Sequence, residues 1–137
     1  MNTHRIRFFL LAAVAAIACS SVSAHDAAEE TVTPLQRQEL PDVPGKQVIL
    51  AVVAYEPGQA SAPHRHAGSV FAYVLEGEVT SQLEGQPPIT YKAGQSWYEP
   101  PRVPHLVSRN ASTTKPAKLL AWLLMDEGGQ VKEPLPK

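Results

Sequence analysis

The residues best suited to chemistry in this chain are histidines. His64-Arg65-His66 sets two imidazoles two residues apart. On a β-strand, positions i and i+2 point to the same side, so both rings project into one space. Two neutral imidazole nitrogens on a common face make half of a first-row metal site. His105 follows Pro100-Pro101-Arg102-Val103-Pro104, whose prolines fix the backbone leading into it. Held against a neighbouring strand, it would complete a set of three. A lone His-x-His in a β-protein is weak evidence, since two surface histidines on one face look the same. Glu99, six residues before His105 in Ser96-Trp97-Tyr98-Glu99-Pro100, is the carboxylate within reach. A glutamate among aromatic neighbours is costly to bury unless it meets a cation or a hydrogen-bond donor. It either faces solvent at a rim or points inward, as a fourth ligand or as a base that takes a substrate's proton.

The elements that must position these groups read as short strands. Helix formers are not arranged at helical spacing, and all 13 prolines lie beyond residue 24, which favours strands joined by rigid turns. Residues 47–55 are Val-rich and apolar on both faces, as in a strand covered on two sides. Residues 70–75 and 78–83 flank Glu76-Gly77, a tight hairpin signal. Gly85-Gln86-Pro87-Pro88 is a turn, and strands follow at 89–92, 96–98, 105–109 and 118–125. Before them, residues 25–33 read as a flexible polar leader and residues 35–40 as one helical turn. Seven or so strands at this spacing mean one all-β domain, a sandwich or barrel, over residues 34–137. The aromatic residues Phe71, Tyr73, Trp97, Tyr98 and Trp122 are expected to supply its lining and core. Asn110-Ala111-Ser112 matches the glycosylation triplet, which in a loop reads as chance.

Residues 1–24 read as a signal peptide. Arg5 and Arg7 precede an apolar run, and Val22-Ser23-Ala24 ends in small residues that a signal peptidase accepts. A periplasmic or secreted protein is expected; lipidation at Cys19, after Ala16-Ile17-Ala18, is the alternative. The apolar run falls short of the ~20 residues a bilayer span needs, so no transmembrane span is expected in the mature form. Cys19 is the only cysteine, which excludes disulfides and thiolate ligands from the domain. From residue 25 onward there are 10 Lys+Arg and 13 Asp+Glu, a formal charge of −3. Without a basic run, nothing points to nucleic acid. His25 would become the N-terminus after cleavage and chelate copper through its amine and ring, but no partner residue lies near it in sequence.

The flanking residues carry a resemblance. Gly58, five residues, His64-Arg65-His66 and then Tyr73-Val74-Leu75-Glu76-Gly77 resemble the first motif of the cupin superfamily. Gly94, five residues, Pro100, Arg102 in place of a usual glycine, and His105 resemble the second. The resemblance runs from about residue 48 to 125 and implies a small antiparallel β-barrel, or jelly roll, with one divalent metal on His64, His66 and His105. In that pattern a glutamate ligand stands seven residues before the closing glycine, which here is Val70. Strand parity puts Val70 inward with the histidines, so the usual carboxylate is missing. Arg109 stands where the second motif often has Asn, with Asn110 adjacent.

Either the metal site has decayed or it is a three-histidine centre, as in some dioxygenases of the superfamily. Three neutral ligands leave the metal's charge uncompensated, which favours a small anionic chelating substrate such as an enolate, carboxylate or thiolate. The reading is an oxygenase-type enzyme with iron, manganese, zinc, nickel or copper. The alternatives are a non-catalytic module holding a metal or small ligand, and an isomerase or lyase on the same scaffold. Residues 48–53 and 119–124 are apolar on successive positions, so their outer face needs covering, and a homodimer is expected.

Overall fold

The computed structural model describes residues 29–136. The signal segment with Cys19, and residues 25–28 of the expected leader with His25, lie outside the described residues. Ten strands follow in order: β1 Thr31–Glu39, β2 Lys46–Tyr55, β3 His64–Arg65, β4 Ser69–Glu76, β5 Glu78–Leu83, β6 Ile89–Lys92, β7 Ser96–Glu99, β8 His105–Asn110, β9 Ala117–Asp126 and β10 Glu133–Pro134. They form two five-stranded antiparallel sheets, ordered β1-β2-β9-β4-β7 and β10-β3-β8-β5-β6. Among the described residues there is no helix, and none long and apolar enough to cross a membrane.

The inner faces follow a period of two, as strands packed on a shared core must. Along β9, Ala117, Leu119, Ala121, Leu123 and Met125 are buried, while Lys118, Trp122 and Asp126 are exposed. Along β4, Val70, Ala72 and Val74 point inward. The core joins these to Ile49 and Tyr55 of β2, Val79 of β5 and Trp97 of β7.

Three sequence expectations change. The helical turn expected at 35–40 is not formed: residues 35–39 belong to β1, which begins inside the expected leader and pairs with β2 from Thr31 to Glu39 around an irregularity at Leu35. That pairing satisfies more backbone groups than one isolated turn would. Glu76-Gly77 is not a hairpin, because β4 pairs with β7 and β9 while β5 pairs with β6 and β8. It is a corner where the chain changes sheet. Gly77 adopts φ +71°, and a Cβ there would come within 2.5 Å of the Pro116 carbonyl oxygen, so the corner requires glycine. Finally, of the five aromatics expected inside, only Trp97 is buried. Phe71, Tyr73, Tyr98 and Trp122 are 38–46% exposed, because parity that turns Val70 and Ala72 inward turns their neighbours out. Phe71 lies between Tyr98 and Trp122, with ring centroids at 5.0 and 5.3 Å.

The loop before β9 is tied by Asn110, which is 2% exposed. Its side-chain amide donates to the Glu56 and Lys115 carbonyls, and its Oδ1 accepts from the Ser112 N–H. Asn110 rather than Arg109 is the inward residue, and an amide so engaged does not present a glycosylation site.

Candidate metal centre

Three elements bring the histidines together. His64 and Arg65 form the two-residue β3, and His64 is register partner to His105 at the start of β8. His66 follows β3, and its carbonyl accepts the Arg102 N–H at 2.8 Å. Arg102 holds φ +64°, the left-handed conformation for which glycine is the usual residue. The Pro100–Pro104 segment is thereby pinned to the His64–His66 segment, and the three imidazoles share one space. One ring nitrogen from each lies within 4.8 Å of those of the other two.

The hydrogen bonds fix the tautomers. His64 Nδ1 lies 2.8 Å from the Ala62 carbonyl oxygen, and His66 Nδ1 bonds the Val131 carbonyl. A carbonyl oxygen only accepts, so both Nδ1 atoms carry the proton and both Nε2 atoms present lone pairs. Those two Nε2 atoms are 3.1 Å apart, an acceptor facing an acceptor. Such a contact calls for a cation between them. It also fits two adjacent ligands on one ion with bonds of about 2.0–2.1 Å. His105 bonds Ser81 Oγ through Nε2 at 2.8 Å and turns Nδ1 toward Glu99.

Glu99 is 4% exposed and points inward, across the β4–β7 pair from Val70. Val70 is itself buried and lines the same cavity as the histidines. The facing register position on the adjacent strand thus carries a carboxylate where β4 has none. Trp97 Nε1, stacked on Tyr91, donates to Glu99 Oε1 at 2.8 Å. Oε2 is left 3.2 Å from His105 Nδ1 and 3.5 Å from His66 Nε2. The 3.2 Å approach is out of hydrogen-bonding geometry: Glu99 Oε2 and His105 Nδ1 are both buried without a partner. Buried orphans of this kind are rare and need an explanation. A cation at the centre would satisfy both, and three clustered imidazoles beside a carboxylate fit a divalent metal.

Electrostatics agree with this charge pattern. Burial alone would push the Glu99 carboxyl up, but the His105 imidazole beside it, then His66 and the Trp97 N–H, hold it below the ordinary carboxylate range. That direction favours the carboxylate form over the carboxylic acid. Burial, and after it the neighbouring His66 and His105, push His64 down to about 4, which keeps its ring neutral and able to ligate.

The centre lies on the wall of a cavity of about 400 Å³, otherwise lined largely by apolar side chains such as Ile49, Ala51, Leu119 and Leu123. Polar exceptions include Tyr55, whose hydroxyl hydrogen-bonds Ser61 and Ser108 at 2.8 Å each, and the ion pair Glu30–Lys132. Sequence reasoning missed Ser81, the Val131 carbonyl and this pair. None carries a local signal, since each meets the site only through sheet pairing or a returning terminal segment.

Two facing antiparallel sheets around such a centre define a class of small double-stranded β-helix barrels with an internal histidine cluster. A family model described as "Cupin domain" matches residues 51–123, more than half of the chain. The chain belongs to the cupin family. No curated protein matches it in sequence. Among solved structures, a double-stranded β-helix protein from Klebsiella pneumoniae is 18% identical with a TM-score of 0.62, over 78% of this chain and 86% of that one. The protein TT1209 from Thermus thermophilus is 28% identical with a TM-score of 0.56, over 79% and 86%. The DMSP lyase DddQ from Ruegeria pomeroyi is 20% identical with a TM-score of 0.64, over 85% and 56%.

Proposed function

We propose that this cupin is a metal-dependent enzyme acting on a small chelating organic molecule, with one divalent ion on His64, His66 and His105 and with Glu99 as its catalytic base. The observation that carries the reading is the pair of buried orphans, Glu99 Oε2 and His105 Nδ1, beside two facing imidazole lone pairs. A bound divalent ion supplies Lewis-acid polarisation of a chelating oxygen and, where the metal is redox-active, a site for dioxygen. The chain's own residues do the rest. Ala62 and Val131 carbonyls hold His64 and His66 in the ligating tautomer, as partners of metal-bound histidines commonly do. Trp97 fixes one oxygen of Glu99, so the other stays aimed at the centre and can take a proton from a bound ligand.

Oxygenase-type chemistry is the first assignment. One observation favours a second: a buried carboxylate oxygen left without a partner beside the centre is placed as the base of a lyase or isomerase would be, without dioxygen. Two of the structural relatives are described as DMSP lyases, though at 20% identity these support the fold alone. Export to the periplasm or medium is part of the proposal and is supported by residues 1–24.

Metal analysis of protein from its native compartment, with oxygen uptake on candidate substrates, separates the readings. Iron with oxygen consumption supports the oxygenase, turnover without oxygen uptake the lyase or isomerase, and zinc without turnover the non-catalytic module. Glu99→Gln keeps the shape and removes the charge. It is expected to retain most of the metal while turnover falls by about 10²-fold, the scale of a positioned acid–base group. Unchanged turnover in Glu99→Gln removes it from the chemistry.

A further inference from the structure

Lys132 stands at the cavity in an arrangement that the metal centre does not explain. It follows Val131, whose carbonyl accepts the His66 Nδ1 proton, so one short segment both orients a histidine and carries an ammonium to the cavity wall. The ammonium is close enough to His64 to add to the downward push on that ring. Its one protein partner among the described residues is Glu30 Oε1. An ammonium has three N–H donors, so two are left for another acceptor. The side chain is 32% exposed, whereas that of Glu30 is 5% exposed. The pair is therefore asymmetric: a buried carboxylate holds a cation whose free donors remain accessible. Arg37, the other cation on the lining, lies on the exposed β1 and bonds Gln47.

We infer that Lys132 is an anion anchor, binding the carboxylate of a small, otherwise apolar organic acid whose body fills the cavity and whose other end reaches the histidine centre. This names a substrate class for the proposed enzyme and rests on that reading of the cavity. The size is apt, since ligand sites commonly enclose about 300–1,000 Å³ with a few polar groups among apolar walls. An ammonium–carboxylate contact at the edge of an apolar cavity is charge-assisted and partly shielded from water, which gives it strength. Glu30 positions the ammonium and, being itself a carboxylate beside the incoming one, also competes with it. That double role gives the two residues opposite signatures.

The test measures hexanoate and hexanamide binding by calorimetry, in zinc-loaded protein and in chelator-treated protein, for the parent, Lys132→Met, Lys132→Arg and Glu30→Gln. Hexanoate is expected to bind saturably in both preparations and about tenfold or more tighter than hexanamide, the scale of one charge-assisted contact. Lys132→Met should lose that preference, Lys132→Arg should keep most of it, and Glu30→Gln should bind hexanoate more tightly than the parent. Absence of saturable hexanoate binding in the parent overturns the inference, as does equal binding of acid and amide. Equal weakening by Lys132→Met and Glu30→Gln also overturns it, because the pair then only staples the two terminal segments together. Lys132-dependent binding of hexanoate to protein that takes up no zinc leaves the anchor standing and sinks the metal centre. Zinc binding with hexanoate indifferent to Lys132 does the reverse.

Discussion

Moving the carboxylate across the β4–β7 pair tests the centre most directly. Val70 and Glu99 are register partners and both point inward. Val70→Glu alone therefore sets two carboxylates face to face, with cross-strand Cβ atoms about 5 Å apart. At that distance and an effective dielectric near 20, two ionised groups repel by about 3 kcal/mol. Keeping one of them protonated at pH 7 costs about 4 kcal/mol from an ordinary glutamate value. The metal-free variant should thus lose about 3–4 kcal/mol, with desolvation of the new carboxylate in addition. A divalent ion attracts both groups, so the loss should be smaller in the metal-loaded protein. Glu99→Val removes the carboxylate and leaves the Trp97 N–H unpaired. The double variant Val70→Glu/Glu99→Val restores one carboxylate from the opposite strand, and its zinc affinity should exceed that of Glu99→Val by about tenfold or more. Urea unfolding with chelator or with zinc, beside zinc calorimetry, measures both quantities. The reasoning is refuted if the double variant binds zinc no better than Glu99→Val, or if Val70→Glu leaves metal-free stability within about 1 kcal/mol of the parent.

Replacing His64, His66 or His105 singly with Ala should abolish stoichiometric metal binding while circular dichroism keeps its β signature, since the apolar barrel supplies most of the stability in a domain of this size; full occupancy in two of the three contradicts the ligand set. His64 is held near 4 in the folded chain against about 6.5 unfolded, so the unfolded state binds the extra proton. Metal-free stability should then fall as pH drops from about 6.5 toward 4, by about 3 kcal/mol at most. Unfolding at several pH values checks this, and a slope in His64→Asn equal to the parent's removes His64 as its source. The outer aromatic face of the first sheet should pair two copies, with Trp122→Glu giving monomers; a monomeric mass for the parent at micromolar concentration by light scattering refutes it.

Most of the strand order in sequence was legible because alternation and turn chemistry are local. Residues 78–83 and 89–92 match β5 and β6 to the residue, bounded by a glycine corner and a Gly-Gln-Pro-Pro turn. The proximity of His64 to His66 was equally local, requiring only that two residues of one extended segment share a face. β1 was not legible. Its nine residues are all exposed, so no buried face imposes a period of two on the sequence. It is a strand because β2 offers an edge, a tertiary cause. The sheet change at Glu76-Gly77 was hidden for a related reason: a hairpin and a corner share the same glycine, and only the pairing partners differ.

Glu99 shows where parity stops working as a rule. Counting back from His105 crosses Pro100–Pro104, where Arg102 at φ +64° breaks the alternation. Counting from Val70 requires the β4–β7 pairing, which no local pattern encodes. Within β7 itself, Trp97 and Tyr98 are adjacent aromatics, and either would serve as the inward one. Polar demand settles it. If Tyr98 faced the core, Trp97 and Glu99 would face water and the histidine cluster would have no carboxylate on that wall. With Trp97 inward, its indole N–H needs an acceptor and the carboxylate needs a donor, and the i, i+2 spacing lets each satisfy the other at 2.8 Å. One carboxylate oxygen is then committed and the second is left over. That second oxygen, buried beside His66 and His105, gives the wall a carboxylate facing the histidine cluster rather than packing alone, and it depends on a single choice of strand face.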